Sequence, residues 1–105
     1  VKLGAERNVK REIKKALTKL NVWHYMPSAN VYGRGGIPDF ICCLKGRFIA
    51  IEAKREKEGA KGLTPLQIME SKKILAHGGE YHVVWSQETL EKMRLRLELL
   101  TKQEK

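Results

Sequence analysis

Apolar positions alternate with charged ones in two different rhythms along this chain. Val9, Ile13, Ala16, Leu17 and Leu20 recur at helical spacing, and Lys10, Arg11, Lys14, Lys15 and Lys19 fill the other faces. That pattern predicts an amphipathic helix from about Leu3 to Leu20. A short strand is expected at Val22–Met26, with Trp23 and Tyr25 on one face and His24 on the other. Pro27–Ile37 reads as a glycine-rich loop. Phe40–Leu44 and Phe48–Ala53, rich in Ile, Phe, Cys and Ala, then read as a β-hairpin turning at Lys45-Gly46. A charged, glycine-containing loop follows from Arg55 to Gly62. Thr64-Pro65-Leu66-Gln67 carries the marks of a capped helix start: Thr64 at the N-cap, Pro65 at the first helical position, Gln67 completing a capping box. This helix is expected to run to Ala76 and stop at His77-Gly78-Gly79. Tyr81–Trp85 reads as a buried strand, in which His82 shows no partner. Ser86 caps a last helix over Gln87–Lys102, with Leu90, Met93, Leu97 and Leu100 as its apolar stripe and Leu95 and Leu99 broadening it.

The predicted order is αβββαβα, an α/β chain whose mixed β-sheet is flanked by helices. At 105 residues, 1–105 is expected to form one domain around one modest core. The broadened stripe of the last helix predicts a homodimer formed through it.

Three charges interrupt the apolar hairpin: Asp39, Glu52 and Lys54. Charges inside strands are costly unless something pairs with them. A two-residue Lys45-Gly46 turn pairs Leu44 with Arg47, and counting outward sets Asp39 opposite Glu52. Directly opposed residues have Cβ atoms roughly 4.5–5.5 Å apart. Two carboxylates at that separation repel, and a divalent cation between them removes the conflict. Lys54 projects from the same face as Glu52, one pleat further on. A longer turn would shift the register and separate the acids.

Composition adds a partner class. Twenty-one Lys and Arg stand against 12 Asp and Glu, a formal charge of +9, which favours a polyanion. Cys42 and Cys43 are adjacent, point to opposite faces of a strand, and show no zinc-ligand spacing; both are expected to be buried reduced thiols. No apolar run approaches the roughly 20 residues of a membrane span, and the amino end has no secretory pattern. The expected setting is intracellular, in the host cytoplasm if the chain is phage-encoded.

Pro38-Asp39 followed by Glu52-Ala53-Lys54 on the next strand resembles the PD-(D/E)XK nuclease superfamily. With Glu6, Gly36-Ile37-Pro38-Asp39, Ile51-Glu52-Ala53-Lys54 and Thr64-Pro65-Leu66-Gln67 in this order, the chain most resembles a stand-alone VRR-NUC domain, of the kind found in phages and at the end of a eukaryotic DNA-repair nuclease. The likeness runs from about Glu6 to Trp85. It implies a restriction-endonuclease-like core and a metal-dependent DNA endonuclease. Glu6, Asp39, Glu52 and the Ala53 carbonyl would hold Mg2+ or Mn2+, and Lys54 and Gln67 would complete the catalytic set. Glu6 also has a plainer reading, as an acid complementing the helix dipole, and capping alone accounts for Gln67. Arg34 amid its glycines, Lys10, Lys14, Arg55, Lys57 and Lys61 are the candidate nucleic-acid contacts, and the Arg55–Gly62 loop is expected to order on binding. No base-reading helix or stacking motif stands out, so branched DNA is the expected substrate. A Holliday-junction resolvase, a restriction-type nuclease and a non-catalytic basic DNA-binding protein remain as alternatives.

Overall fold

The computed structural model describes residues 2–28 and 33–103, so residues 29–32 of the glycine-rich loop lie outside the described residues. The elements follow the predicted order: α1 (Glu6–Lys19), β1 (Trp23–Tyr25), β2 (Phe40–Leu44), β3 (Arg47–Ala53), α2 (Pro65–Ala76), β4 (Glu80–Val84) and α3 (Gln87–Thr101). The four strands form one mixed sheet in the order β1-β2-β3-β4. The first two pairings are antiparallel, and β3–β4 is parallel, with α2 in the crossover.

The hairpin turn sets the register. Lys45 and Gly46 both take positive φ, 53° and 81°, the backbone of a two-residue turn that matches strand twist. Leu44 therefore faces Arg47, and Phe40 faces Ile51, as the pattern predicts. Phe40, Cys42, Leu44, Ile49, Ile51 and Ala53 point to one side of the sheet and are buried against α1 and α3. Val9, Ile13 and Leu17 of α1 and Leu90, Met93, Leu97 and Leu100 of α3 complete this core. Leu95 and Leu99 stay more than half exposed on the outer face of α3. No helix among the described residues is long and apolar enough to cross a membrane.

Three expectations need correction. Helix α1 starts at Glu6, not Leu3, because Gly4 takes φ 70° and the backbone N–H groups of Leu3 and Gly4 donate to the Glu56 carboxylate instead of entering the helix. That same bond ties the start of the Arg55–Gly62 segment to the amino-terminal residues, and a turn at Arg55–Glu58 leads into a 3-10 turn at Gly59–Gly62. Cys43 is exposed on the side of the sheet that α1 and α3 leave uncovered, while Cys42 is buried and its thiol is pushed up to about 12 by desolvation. His82 does have a partner, Glu80, whose carboxylate lies 3.1 Å from its Nε2 and is held below the usual carboxylate range chiefly by Arg96.

Gly36 joins the loop to the second layer. Its φ is 84°, and a Cβ there would come 2.5 Å from the Leu66 carbonyl oxygen in the first turn of α2. Only glycine lets this backbone approach occur. Gly36→Ala is expected to cost roughly 2–5 kcal/mol, combining a left-handed conformation with a backbone clash; chemical denaturation against the wild type measures it.

Candidate active site

The site lies on the face of the sheet opposite α1 and α3, where β2 enters and β3 ends. Asp39 sits one rung beyond the β2–β3 ladder, opposite Glu52. The two acids hold each other in place through the backbone. Asp39 N–H donates to Glu52 Oε1 at 3.3 Å, and Ala53 N–H donates to Asp39 Oδ2 at 2.8 Å. Asp39 thus supplies with its side chain the acceptor that a strand carbonyl would otherwise provide.

Glu52 is only 2% exposed. Burial first, then the neighbouring Asp39 charge, holds its carboxyl well above the ordinary carboxylate range, and Lys54 only partly offsets this. Lys54 Nζ lies 4.0 Å from Glu52 Oε2, with the Lys54 side chain nearly buried as well. The other contact to Oε2 comes from Gln67 Nε2 at 2.9 Å.

Gln67 does two things with one amide. Its Oε1 accepts Thr64 N–H at 2.9 Å, while Thr64 Oγ1 accepts Gln67 N–H at 3.2 Å. This is the predicted capping box, reciprocal and complete. Because the oxygen is committed to the cap, the NH2 group is oriented toward Glu52.

Glu6 and Lys10 form the outer part of the site. Lys10 Nζ stands between two carboxylates, 3.2 Å from Glu6 Oε2 and 3.5 Å from Asp39 Oδ1. Burial works against the Lys10 charge, but the two acids outweigh it and its pKa rises. Glu6 is therefore linked to Asp39 through an ammonium and does not itself join the pair. Among the described residues, no three His, Cys, Asp or Glu side chains converge into a ready-made metal cage. Arg34 engages the buried Glu70 through two contacts, Nε–Oε2 at 3.0 Å and Nη2–Oε1 at 3.1 Å. Arg55 pairs with Glu58, and Lys14, Lys57 and Lys61 are exposed. A cavity of about 390 Å³ lined by Pro27, Arg34, Gly36, Ile37 and Pro38 opens onto Asp39.

Two residues here escape the sequence patterns. Glu70 is 5% exposed on α2 and tethers Arg34. Its signal is spacing, three positions after Gln67, which puts both on one helix face. Tyr81, from β4, has a buried hydroxyl with no hydrogen-bond partner among the described residues. Its pKa is raised by burial and then by Glu52, Asp39 and Glu70. No periodicity distinguishes Tyr81 from a core aromatic.

A solved structure described as a "VRR_NUC domain" matches this chain with a TM-score of 0.72 over 86% of this chain and 94% of that one, at 24% identity. The chain has the VRR_NUC fold. No family model and no curated protein matches it. In this VRR_NUC fold the mixed sheet and its helices agree with the restriction-endonuclease-like core that the motifs imply.

A divalent cation suits the donors present. Asp39 and Glu52 offer hard oxygen atoms in a place where Lys10 and Lys54 relieve their mutual repulsion only in part. Lys10 already marks a position between acids where positive charge is stable. The unpartnered Tyr81 hydroxyl leaves a polar group unsatisfied in the same neighbourhood.

The raised Glu52 pKa makes the stability of the protein pH-sensitive. The folded state binds this proton more tightly than the unfolded chain, so its contribution is complete at low pH and is lost as pH rises through the folded value. In EDTA, Tm is expected to fall between about pH 5 and about 8, and Glu52→Gln should flatten that slope in thermal melts.

Proposed function

We propose that this chain is a magnesium- or manganese-dependent nuclease that hydrolyses phosphodiester bonds in DNA within the cell. The observation that carries this reading is the Asp39–Glu52 clasp, its glutamate buried, with Lys54 beside it. The VRR_NUC fold supports it.

Asp39, Glu52 and the Ala53 carbonyl would hold the ion, and Glu6 would join them if Lys10 moved aside. Such an ion polarises a phosphoryl oxygen and lowers the pKa of bound water. Lys54, held at 4.0 Å from Glu52, would orient the attacking water or stabilise negative charge growing on the phosphate. Gln67 is a positioning residue that fixes the Glu52 carboxylate from its cap. Lys14, Arg34, Arg55, Lys57 and Lys61 would neutralise backbone phosphates, a sequence-independent attraction that weakens with salt.

No base-reading helix accompanies the site, which favours recognition of DNA shape and branching over sequence. The exposed Leu95 and Leu99 on α3 suit a homodimer through that helix, with two active sites available to paired strands. Light scattering at micromolar concentration checks this, and a Leu95→Ala, Leu99→Ala double variant should be monomeric.

Cleavage is to be measured on blunt duplex, flap and four-way DNA with and without metal. Asp39→Ala, Glu52→Ala and Lys54→Ala should each lose roughly 10²- to 10³-fold or more in rate, with DNA binding in EDTA largely kept. Wild-type rates for Asp39→Ala and Lys54→Ala would sink this reading. At roughly 100 times its Kd, metal should add about 2.7 kcal/mol and raise Tm by roughly 10–20 °C. Asp39→Asn should blunt that rise.

A further inference from the structure

The sheet face that carries the acids is not fully covered by α2. Cross-strand register arranges it in rows. Asp39 and Glu52 make the first row; Tyr25, Ile41 and Ala50 make the second; Trp23, Cys43 and Phe48 make the third. Paired residues share a face, and alternate residues along a strand share it too. Trp23, Tyr25 and Phe48 therefore project on the same side as the acids. Trp23 is 62% exposed, Tyr25 55% and Phe48 44%. Large aromatics left open together mark an interaction site.

The geometry points to a stacking platform for unpaired bases of a single-stranded segment, leading away from the active site along β1. This rests on the nuclease reading for its direction, since the strip begins at Asp39. Tyr25 stands opposite Ile41, only two residues along β2 from Asp39, a distance along the strand of roughly 7 Å. Just past Tyr25, Pro27 and Ser28 line the cavity that opens onto Asp39.

Charge selects this occupant over an apolar protein surface. From Trp23 to Ile51 the chain has three Lys and Arg, at positions 34, 45 and 47, and one acid, Asp39 itself. Lys45, exposed in the hairpin turn, stands at the far end of the strip, while Arg47 next to it projects from the other face. Aromatic faces with an exposed cation at their end, on a chain of +9 charge, are the combination that binds single strands without sequence preference. Duplex bases, stacked within the helix, offer no faces to these rings. The platform thus assigns a preference for substrates with an unpaired arm.

The test is binding in EDTA, which separates it from cleavage. The probes are fluorescein-labelled oligothymidylate, a forked duplex with thymidine arms, and a blunt duplex. Trp23→Ala and Tyr25→Ala should each weaken oligothymidylate and fork binding by roughly 5- to 150-fold, and leave the blunt duplex within about twofold. Trp23→Phe, which keeps an aromatic face, should recover most of the loss. Oligothymidylate should quench tryptophan emission in the wild type and in Trp85→Phe, but not in Trp23→Phe. Unchanged oligothymidylate binding by Trp23→Ala, or equal losses on single strand and blunt duplex, would overturn the platform. So would a Trp23→Ala protein that shifts from dimer to monomer at unchanged oligothymidylate affinity, which gives the face to a second copy. If Asp39→Ala abolishes cleavage while Trp23→Ala binds normally, the platform alone fails. If the quenching is seen but the wild type cuts nothing, the nuclease reading alone fails.

Discussion

Two carboxylates held together by backbone hydrogen bonds are the constraint on which this structure turns. Asp39 and Glu52 would separate if only their charges acted. They stay because each is bound to the other's strand: Asp39 accepts from Ala53 N–H, and Glu52 accepts from Asp39 N–H. A buried carboxylate that gives up water needs donors, and these bonds together with Gln67 supply them. Burial first, and the Asp39 charge second, raise the pKa of Glu52. Two acids kept this close, with a nearly buried lysine beside them, are the kind of arrangement in which perturbed titration marks a functional site.

Helix α2 makes sense only in that light. Leu66, Ile68, Met69 and Leu75 face outward, and the residue buried most deeply on this helix is Glu70. Its inner face instead presents Gln67 to Glu52, Glu70 to Arg34 and Ile74 to the Gly79 backbone. An ordinary amphipathic helix is held by its apolar stripe. This one is held by its N-terminal cap, by Gly36 packed against its first turn, and by polar contacts to the site. Local capping chemistry and site assembly are therefore one interaction: the oxygen of the Gln67 amide starts the helix, and the nitrogen steadies an acid.

Features that depend on nearby residues were legible in the sequence. The Lys45-Gly46 turn fixes the register of the hairpin, and the register alone sets Asp39 against Glu52. Thr64-Pro65-Leu66-Gln67 specifies its cap within a single turn of chain. What escaped depends on distant partners. That Lys10 would stand between Glu6 and Asp39 requires the angle at which α1 crosses the sheet. Glu56 gives up the freedom of a loop because Leu3 and Gly4, more than fifty positions earlier, offer it their N–H groups. Cys43 shares its strand with the buried Cys42, and alternation separates the two faces, but only the placement of the helices decides which face stays open. Tyr81 sits in an apolar run, and its unpartnered hydroxyl becomes visible only once Glu52 and Glu70 are brought near.

The two sides of the sheet divide the work of folding from that of the candidate site. One side buries Val9, Ile13, Leu17, Met93, Leu97 and Leu100 and supplies most of the apolar stabilisation. Relieved of that task, the other side carries groups that a core would reject: two opposed acids, a nearly buried lysine, an exposed tryptophan and an exposed thiol. Strand alternation makes the division possible, because each strand contributes apolar residues to one face without limiting the chemistry of the other. The edge strand β1 shows the consequence most clearly. Its His24 turns inward beside Phe40, while Trp23 and Tyr25, one residue to either side, are left facing water. Burying those rings would require another layer on a three-residue edge strand. Leaving them open adds large flat surfaces next to the acids at little conformational cost, since each ring turns about only two side-chain torsions.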